Sequence, residues 1–375
     1  MKVLTVVGAR PQFVKAAFVS RSLRREHQEV LVHTGQHYDD AMSAAFFREL
    51  EIPAPDLNLE VGSGPHGAQT AEMIRRLEPV IIEQEPDGVL IYGDTNSTLV
   101  GAIVACKVAY PDARRPWLAH VEAGVRSFNP AMPEERNRIV ADHLADLLLA
   151  PTPTAVDNLA REGLAGRSEL VGDVMVDTFR WAEPRADAHL PEVAAQLPGY
   201  LLVTLHRAEN VDDPRSLATL LAMLELDRPV IFPMHPRTLS AMQRAGLEPP
   251  PNVRAIGPVG YLAMVALERH AAVIATDSGG VQKEAYLAGV PCITLRGETE
   301  WIETVDNGWN RLVGADRGAI QSALHDAAFM DRSRPRPTLF GDGRAAERIV
   351  AALEAHQLKQ DATQSRSLTA EPAEV

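Results

Sequence analysis

The sequence predicts an α/β protein: two doubly wound parallel sheets facing a cleft. Short, wholly apolar runs alternate with amphipathic helical stretches, and this alternation breaks once and restarts. The polar residues with chemical potential follow the apolar runs directly, where parallel strands deliver side chains to a ligand crevice. At 375 residues, 46% of them hydrophobic, the chain exceeds one ordinary core and suggests two domains.

In the first half Val3 to Val7, Val30 to His33, Gly88 to Tyr92, Trp117 to Val121, Leu147 to Ala150 and Glu169 to Val171 read as strands, separated by helical patterns such as Phe13 to Arg25 and Ala71 to Gln84. The stretch Trp181 to Pro198, rich in proline and alanine, reads as a linker. The rhythm resumes with Tyr200 to Leu205, Val230 to Pro233, Asn252 to Ile256, Ala272 to Ala275 and Pro291 to Leu295. The expected domains are 1–182 and 183–340. A closing helix at about 341–358 is expected to pack back on the first domain, and the polar tail 359–375 to be disordered.

Several classes are excluded. No segment approaches the roughly 20 apolar residues of a membrane span, and the N-terminus reads as a buried strand rather than a signal peptide. Two cysteines, Cys106 and Cys292, supply neither a disulfide framework nor a metal cluster, which points to the cytoplasm. A net charge of −13 argues against nucleic-acid binding, so an anionic ligand requires a local cluster of cations.

The strand ends carry the candidates. The strand ending at Val121 runs into Glu122, a small-residue turn and Arg126. Glu134 and Glu135 open the next helix behind Pro133, a position that favours acids in any protein. Gly8-Ala9-Arg10-Pro11-Gln12 starts a helix and puts Arg10 and Lys15 beside its N-terminus, either as a phosphate seat or as solvated cations. Asp94, after the strand Gly88 to Tyr92, is either a helix cap or a catalytic acid. His206-Arg207 leaves a strand as a potential anion site. In Thr276-Asp277-Ser278-Gly279-Gly280 the glycines allow backbone N–H groups to approach a diphosphate, and Glu284 lies about one turn further on, placed for sugar hydroxyls.

Together these motifs resemble the non-hydrolysing UDP-N-acetylglucosamine 2-epimerases: GARPQFVK at 8–15, HTGQHYD at 33–39, YGDTNST at 92–98, HVEAGVRS at 120–127, MPEERNR at 132–138, TLHRAEN at 204–210 and TDSGGVQKEA at 276–285. The resemblance covers nearly the whole chain to about His356, with the motifs in the family's order. It implies two Rossmann-like domains of the GT-B type, a homodimer, no cofactor and a UDP-sugar substrate; no metal is expected, because the sequence has no His/Cys cluster with ligand spacing. Carried over by motif, Asp94, Glu122 and Glu134 are the catalytic carboxylates and His206 the active-site histidine. Arg10, Lys15, Arg207, Ser278, Gly279, Gly280 and Glu284 lie around the nucleotide. Gln36, His37 and His235 correspond to part of a second, activating nucleotide-sugar site.

The sequence departs from that pattern in three stretches. The loop Ser127 to Pro133 is short, Arg296-Gly297-Glu298-Thr299-Glu300-Trp301 lacks an Arg-Pro pair after Thr-Glu, and Gly62 to Gly67 carries no Lys or Arg. A second diphosphate needs extra cations, so hyperbolic kinetics are expected. The same features recur in epimerases acting on UDP-2,3-diacetamido-glucuronic acid, which stand as an alternative beside a GT-B glycosyltransferase.

Overall fold

A computed structural model describes residues 1–35 and 48–369, apart from the side chains of Ala208 and 364–369. The chain divides into two compact units, Met1–Thr178 with the segment from Phe340 onward, and Phe179–Leu339.

The first unit is built on seven strands: β1 (Lys2–Val7), β2 (Gln28–His33), β3 (Leu57–Asn58), β4 (Gly88–Tyr92), β5 (Trp117–Val121), β6 (Leu147–Ala150) and β7 (Ser168–Leu170). Their order is β3-β2-β1-β4-β5-β6-β7, with parallel pairing at each step. Helices cover both faces of such a sheet, so the central strands are continuous apolar runs: every residue of β4 and β5 is buried. The strand order reverses between β1 and β4, the position where doubly wound sheets hold ligands.

The second unit repeats the plan with β8 (Leu201–Thr204), β9 (Val230–Pro233), β10 (Val253–Ile256), β11 (Val273–Thr276), β12 (Cys292–Thr294) and β13 (Asn310–Leu312). Its order is β10-β9-β8-β11-β12-β13, again parallel, and it reverses between β8 and β11. The fold is α/β with two Rossmann-like sheets. No helix among the described residues is long and apolar enough to cross a membrane.

Four features differ from the sequence reading. Strands β3 and β13, of two and three residues, are too short for a periodic signal. The stretch read as a linker is largely helical. The helix Val174–Ala186 runs through Trp181 and tolerates Pro184, and Glu192–Ala195 forms another helix. The alanines there form buried contacts, Ala182 and Ala186 being fully buried, so a composition that looked like a spacer is packing surface. The tail also departs from expectation: the last helix is continuous over Ala345–Thr369. Without glycine or proline in that span nothing stops helix propagation past Lys359. This helix is fastened to the sheet-bearing part of the first unit at its start, by Asp177 accepting the N–H groups of Ala345 and Ala346 at 3.1 and 3.0 Å, and midway, by the Trp117 indole donating to Gln357 at 2.7 Å.

Close approach is tightest at Gly8, where β1 ends. A Cβ there would lie 2.1 Å from both Ser97 Oγ and Thr34 Oγ1, which are hydrogen-bonded to each other at 2.8 Å. We expect Gly8→Ala to lower stability by at least ~1–3 kcal/mol, the usual cost of overpacking. Gly166→Ala, with open space around the new methyl, should stay within about 0.5 kcal/mol of wild type. Equal denaturation midpoints for the two variants would contradict the packing described.

Candidate active site

In the first unit the candidate residues gather at the ends of β1, β4 and β5. The turn after β1 is fixed by Gln12, whose Oε1 accepts the N–H groups of Gly8 and Ala9 at 2.8 and 3.1 Å while its Nε2 donates to the Tyr92 carbonyl at 2.9 Å. The start of the helix Arg10–Leu23 is thereby tied to the end of β4. Arg10 opens that helix, with Pro11 in its first turn. Lys15, one turn on, donates from Nζ to Glu122 Oε1 at 2.7 Å, and the two side chains are only 9% and 5% exposed.

Glu122 has φ +71°, a left-handed conformation that costs a non-glycine residue roughly 1–3 kcal/mol. Its N–H is anchored on the Leu149 carbonyl at 3.1 Å. Gly93, φ +62°, lies directly against the ion pair: a Cβ there would stand 2.9 Å from Lys15 Nζ and 3.6 Å from Glu122 Oε1. Glycine is what allows the turn leading to Asp94 to close on the pair.

Asp94 is bound by the guanidinium of Arg138, which also contacts Glu135 at 2.5 Å, and its backbone carbonyl accepts from Asn137 Nδ2 at 2.9 Å. Arg138 and Asn137 ride on the helix Pro133–Leu144, so the helix carrying Glu134 is pinned to the Asp94 turn. Glu134 is half-buried, and its side chain makes no hydrogen bond or ion pair among the described residues. Its neighbour Glu135 is structural, accepting the N–H groups of Ser127 and Phe128 at 3.0 and 2.9 Å.

A buried charge network supports these turns. His120, on β5, faces the Gly93 carbonyl through Nε2 and Asp142 through Nδ1, both at 2.7 Å. Asp142 also accepts the Gly124 N–H at 3.0 Å and pairs with Arg126 at 2.7 Å. Arg126 in turn grips Glu162 with two bonds of 2.8 Å. Burial would raise the Asp142 carboxyl, but His120, Arg126 and the Gly124 N–H outweigh it and hold the group below the usual carboxylate range.

In the second unit Asp277, just after β11, organises the loop after β8. Its carboxylate accepts the N–H groups of His206 and Arg207 at 3.1 and 3.0 Å and Asn210 Nδ2 at 3.0 Å, and it lies 3.2 Å from His206 Nδ1. Ser278 caps the helix Gly279–Ala288, its Oγ accepting from the Val281 N–H, and Gly279 and Gly280 form the first turn, where N–H groups have no acceptor within the helix. Over Gly279 stand the Trp301 indole and the Glu300 carboxylate, 3.2 and 3.5 Å from where a Cβ would be. Glu300 is held by Arg296 at 3.0 and 3.1 Å and lies 3.7 Å from Arg207. Lys283 sits 3.9 Å over the Trp301 ring, and Glu284, further along the helix, is 6% exposed.

The structure therefore brings Lys15, Glu122 and the Asp94 turn together in one unit, and groups His206, Arg207, Ser278, Gly279 and Gly280 in the other. Lys15 contacts a carboxylate, where the sequence reading gave it to the nucleotide. His235 caps the helix Pro236–Ala245, its Nδ1 accepting the Arg237 N–H at 3.2 Å, with its ring 5.8 Å from that of His206. Gln36 and His37 lie outside the described residues. Sequence reasoning missed His120, Asp142, Arg138, Asp277, Arg296 and Glu300 as members of these clusters. Only Asp277 and Arg296 carried a signal, as polar residues directly after strands.

A model of the family described as UDP-N-acetylglucosamine 2-epimerase matches residues 21–354. The chain belongs to the UDP-N-acetylglucosamine 2-epimerase family. It is accordingly a nucleotide-sugar 2-epimerase, an isomerase. It is 45% identical, over 94% of its length and 99% of the relative's, to a UDP-N-acetylglucosamine 2-epimerase homolog of Methanococcus maripaludis. Identity and coverage are the same for the UDP-2,3-diacetamido-2,3-dideoxy-D-glucuronate 2-epimerase of Pseudomonas aeruginosa. Among solved structures, the UDP-GlcNAc 2-epimerase of Methanocaldococcus jannaschii in complex with UDP-GlcNAc and UDP superposes with a TM-score of 0.86 at 39% identity, covering 95% of this chain and all of that one.

In this epimerase burial opposes ionisation of Asp277, but His206, Asn210 and the Arg207 N–H bring its pKa down to about 2. A folded-state pKa below the ordinary value means that the stabilisation, roughly 2 kcal/mol, is complete above pH ~4 and is lost as pH falls toward 2. Asp277→Asn should lower the Tm at pH 7, and the gap to wild type should narrow between pH 5 and pH 2.5. A gap that stays constant over that range would contradict the assignment.

Proposed function

We propose that the protein interconverts UDP-GlcNAc and UDP-ManNAc by eliminating UDP and adding it back. Carbon 2 of the sugar is not next to a carbonyl, so its proton is too weakly acidic for simple removal and return. Loss of that proton must be coupled to departure of UDP. A base takes the proton from carbon 2, the bond from carbon 1 to the diphosphate oxygen breaks, and 2-acetamidoglucal forms. UDP then re-adds at carbon 1 while a proton reaches carbon 2 from the opposite face.

The observation that carries this reading is the buried Lys15–Glu122 pair lying against the Asp94 turn. It sets a carboxylate with a fixed countercharge beside a second acid, with Glu134 on the helix pinned to the same turn. Glu122, Asp94 and Glu134 are assigned to proton removal and return on the two faces of the ring. Arg10, His206 and Arg207, with the N–H groups of Gly279 and Gly280 behind Ser278, are assigned to the diphosphate, whose charge grows as the bond breaks. Glu284 is assigned to the ribose hydroxyls. Elimination and re-addition involve no net oxidation, so no nicotinamide is required, and activity should survive exhaustive chelation.

A second substrate is favoured by one observation, the 45% identity to the P. aeruginosa enzyme that acts on a diacetamido-glucuronate. The same chemistry applies to that sugar. A glycosyltransferase reading has only fold behind it: the wall teichoic acid polymerase TagF superposes at a TM-score of 0.51 with 10% identity. The family supports extending the proposal to a cytoplasmic homodimer that feeds surface polysaccharide synthesis.

Incubation with UDP-GlcNAc in D2O should give UDP-ManNAc carrying deuterium at carbon 2, while the diacetamido-glucuronate nucleotide reacts more slowly. The reverse preference would assign the second substrate, and turnover of neither would overturn the proposal. Asp94→Asn, Glu122→Gln and Glu134→Gln should each lose on the order of 10²-fold or more in kcat and retain UDP binding. Near-native turnover in all three would remove the catalytic assignment.

A further inference from the structure

The assignment of Glu284 to the ribose leaves a second acid beside it without a role. Glu268 lies on the helix Tyr261–His270, which packs against the helix carrying Glu284. Glu268 is fully buried, next to the apolar cluster of Leu267, Ile274, Ala285 and Cys292. Among the described residues no N–H or O–H group donates to either of its carboxyl oxygens, and no cation pairs with it. The group that faces it is the carboxyl of Glu284. The nearby hydroxyl of Tyr200 is committed elsewhere, donating to the Leu267 carbonyl at 2.6 Å.

Two carboxylates side by side in such surroundings do not both ionise, and a lone buried charge without a donor is heavily penalised. One proton must therefore be shared by the pair. It belongs on the more deeply buried member: burial first, and the charge of Glu284 second, hold the Glu268 carboxyl well above the usual range. A carboxylic acid kept neutral in this way becomes a hydrogen-bond donor.

We propose that Glu268 is a positioning residue for the nucleoside: its O–H donates to Glu284 and aims that carboxylate at the vicinal hydroxyls of a bound ribose. The shared proton limits the pair to a single negative charge, which lets it lie near a diphosphate without adding a second repulsive carboxylate. The role rests on the proposed reading of Glu284. Its residue has no counterpart in the motifs, since Glu268 in Leu267-Glu268-Arg269-His270 reads from sequence as one more helix charge.

The test measures binding of UDP, 2′-deoxy-UDP and 3′-deoxy-UDP by calorimetry to wild type, Glu268→Leu and Glu268→Gln. Wild type should prefer UDP over at least one deoxy analogue by on the order of tenfold or more, the worth of a hydrogen bond to a charged group. Glu268→Leu, which fills the space and removes the donor, should lose most of that preference. Glu268→Gln, whose amide N–H can still donate, should restore it. A preference unchanged in Glu268→Leu overturns the role of Glu268 and leaves the proposed function standing. A wild type that binds UDP and both analogues alike overturns the ribose assignment of Glu284 and the role of Glu268 together. Failure of wild type to bind UDP overturns the proposed function itself.

Discussion

The ion pair between Lys15 and Glu122 is the constraint around which the turns after β4 and β5 are arranged. Two charges are withdrawn from water, one on the helix that follows β1 and one just past β5, and the second belongs to a residue in left-handed backbone. Desolvation and strain of this kind persist only where the surroundings over-determine the geometry. Gln12 locks the turn that carries Lys15 to β4, while Asp142 binds the Gly124 N–H just beyond Glu122 and, through His120, the Gly93 carbonyl. Gly93 then closes on the pair because it has no side chain to exclude it.

The two units hold their acids by different means. In the first, carboxylates are met by full charges: Glu122 by Lys15, Asp94 by Arg138, Asp142 by Arg126. In the second, Asp277 is met by the His206 imidazole, two backbone N–H groups and an amide, and Glu268 by another carboxyl. The first arrangement keeps negative charge in place where the proposed reaction moves a proton. The second places hydrogen-bond donors on Asp277 and so shapes the loop that carries His206 and Arg207.

Much of this was legible in the sequence because strand ends in parallel sheets are short-range signals. Glu122, Asp94, His206 and Ser278 each follow an apolar run within a few residues, and the structure places each where that rule says. What escaped is long-range. His120 meets Asp142 and Arg138 meets Asp94 only after the chain has folded, and a histidine inside a buried strand looks like any other core residue. The misread linker and tail share one cause. Alanine and polar residues carry no periodic apolar signal, yet Ala182 and Ala186 pack in the core, and the helix from Ala345 continues because nothing breaks it. His235, read as the remnant of a second site, has a local use in capping its own helix.

The central claim is that Glu122, held by Lys15, moves a proton in step with cleavage of the bond between carbon 1 and the diphosphate. Positional isotope exchange tests it most directly, using UDP-GlcNAc with 18O in the bridge between carbon 1 and the β-phosphorus. Wild type should scramble the label into the non-bridging β-phosphate oxygens as epimer accumulates, and Glu122→Gln should lose scrambling and epimerisation together. Inversion at carbon 2 with the label fixed in the bridge would contradict the account.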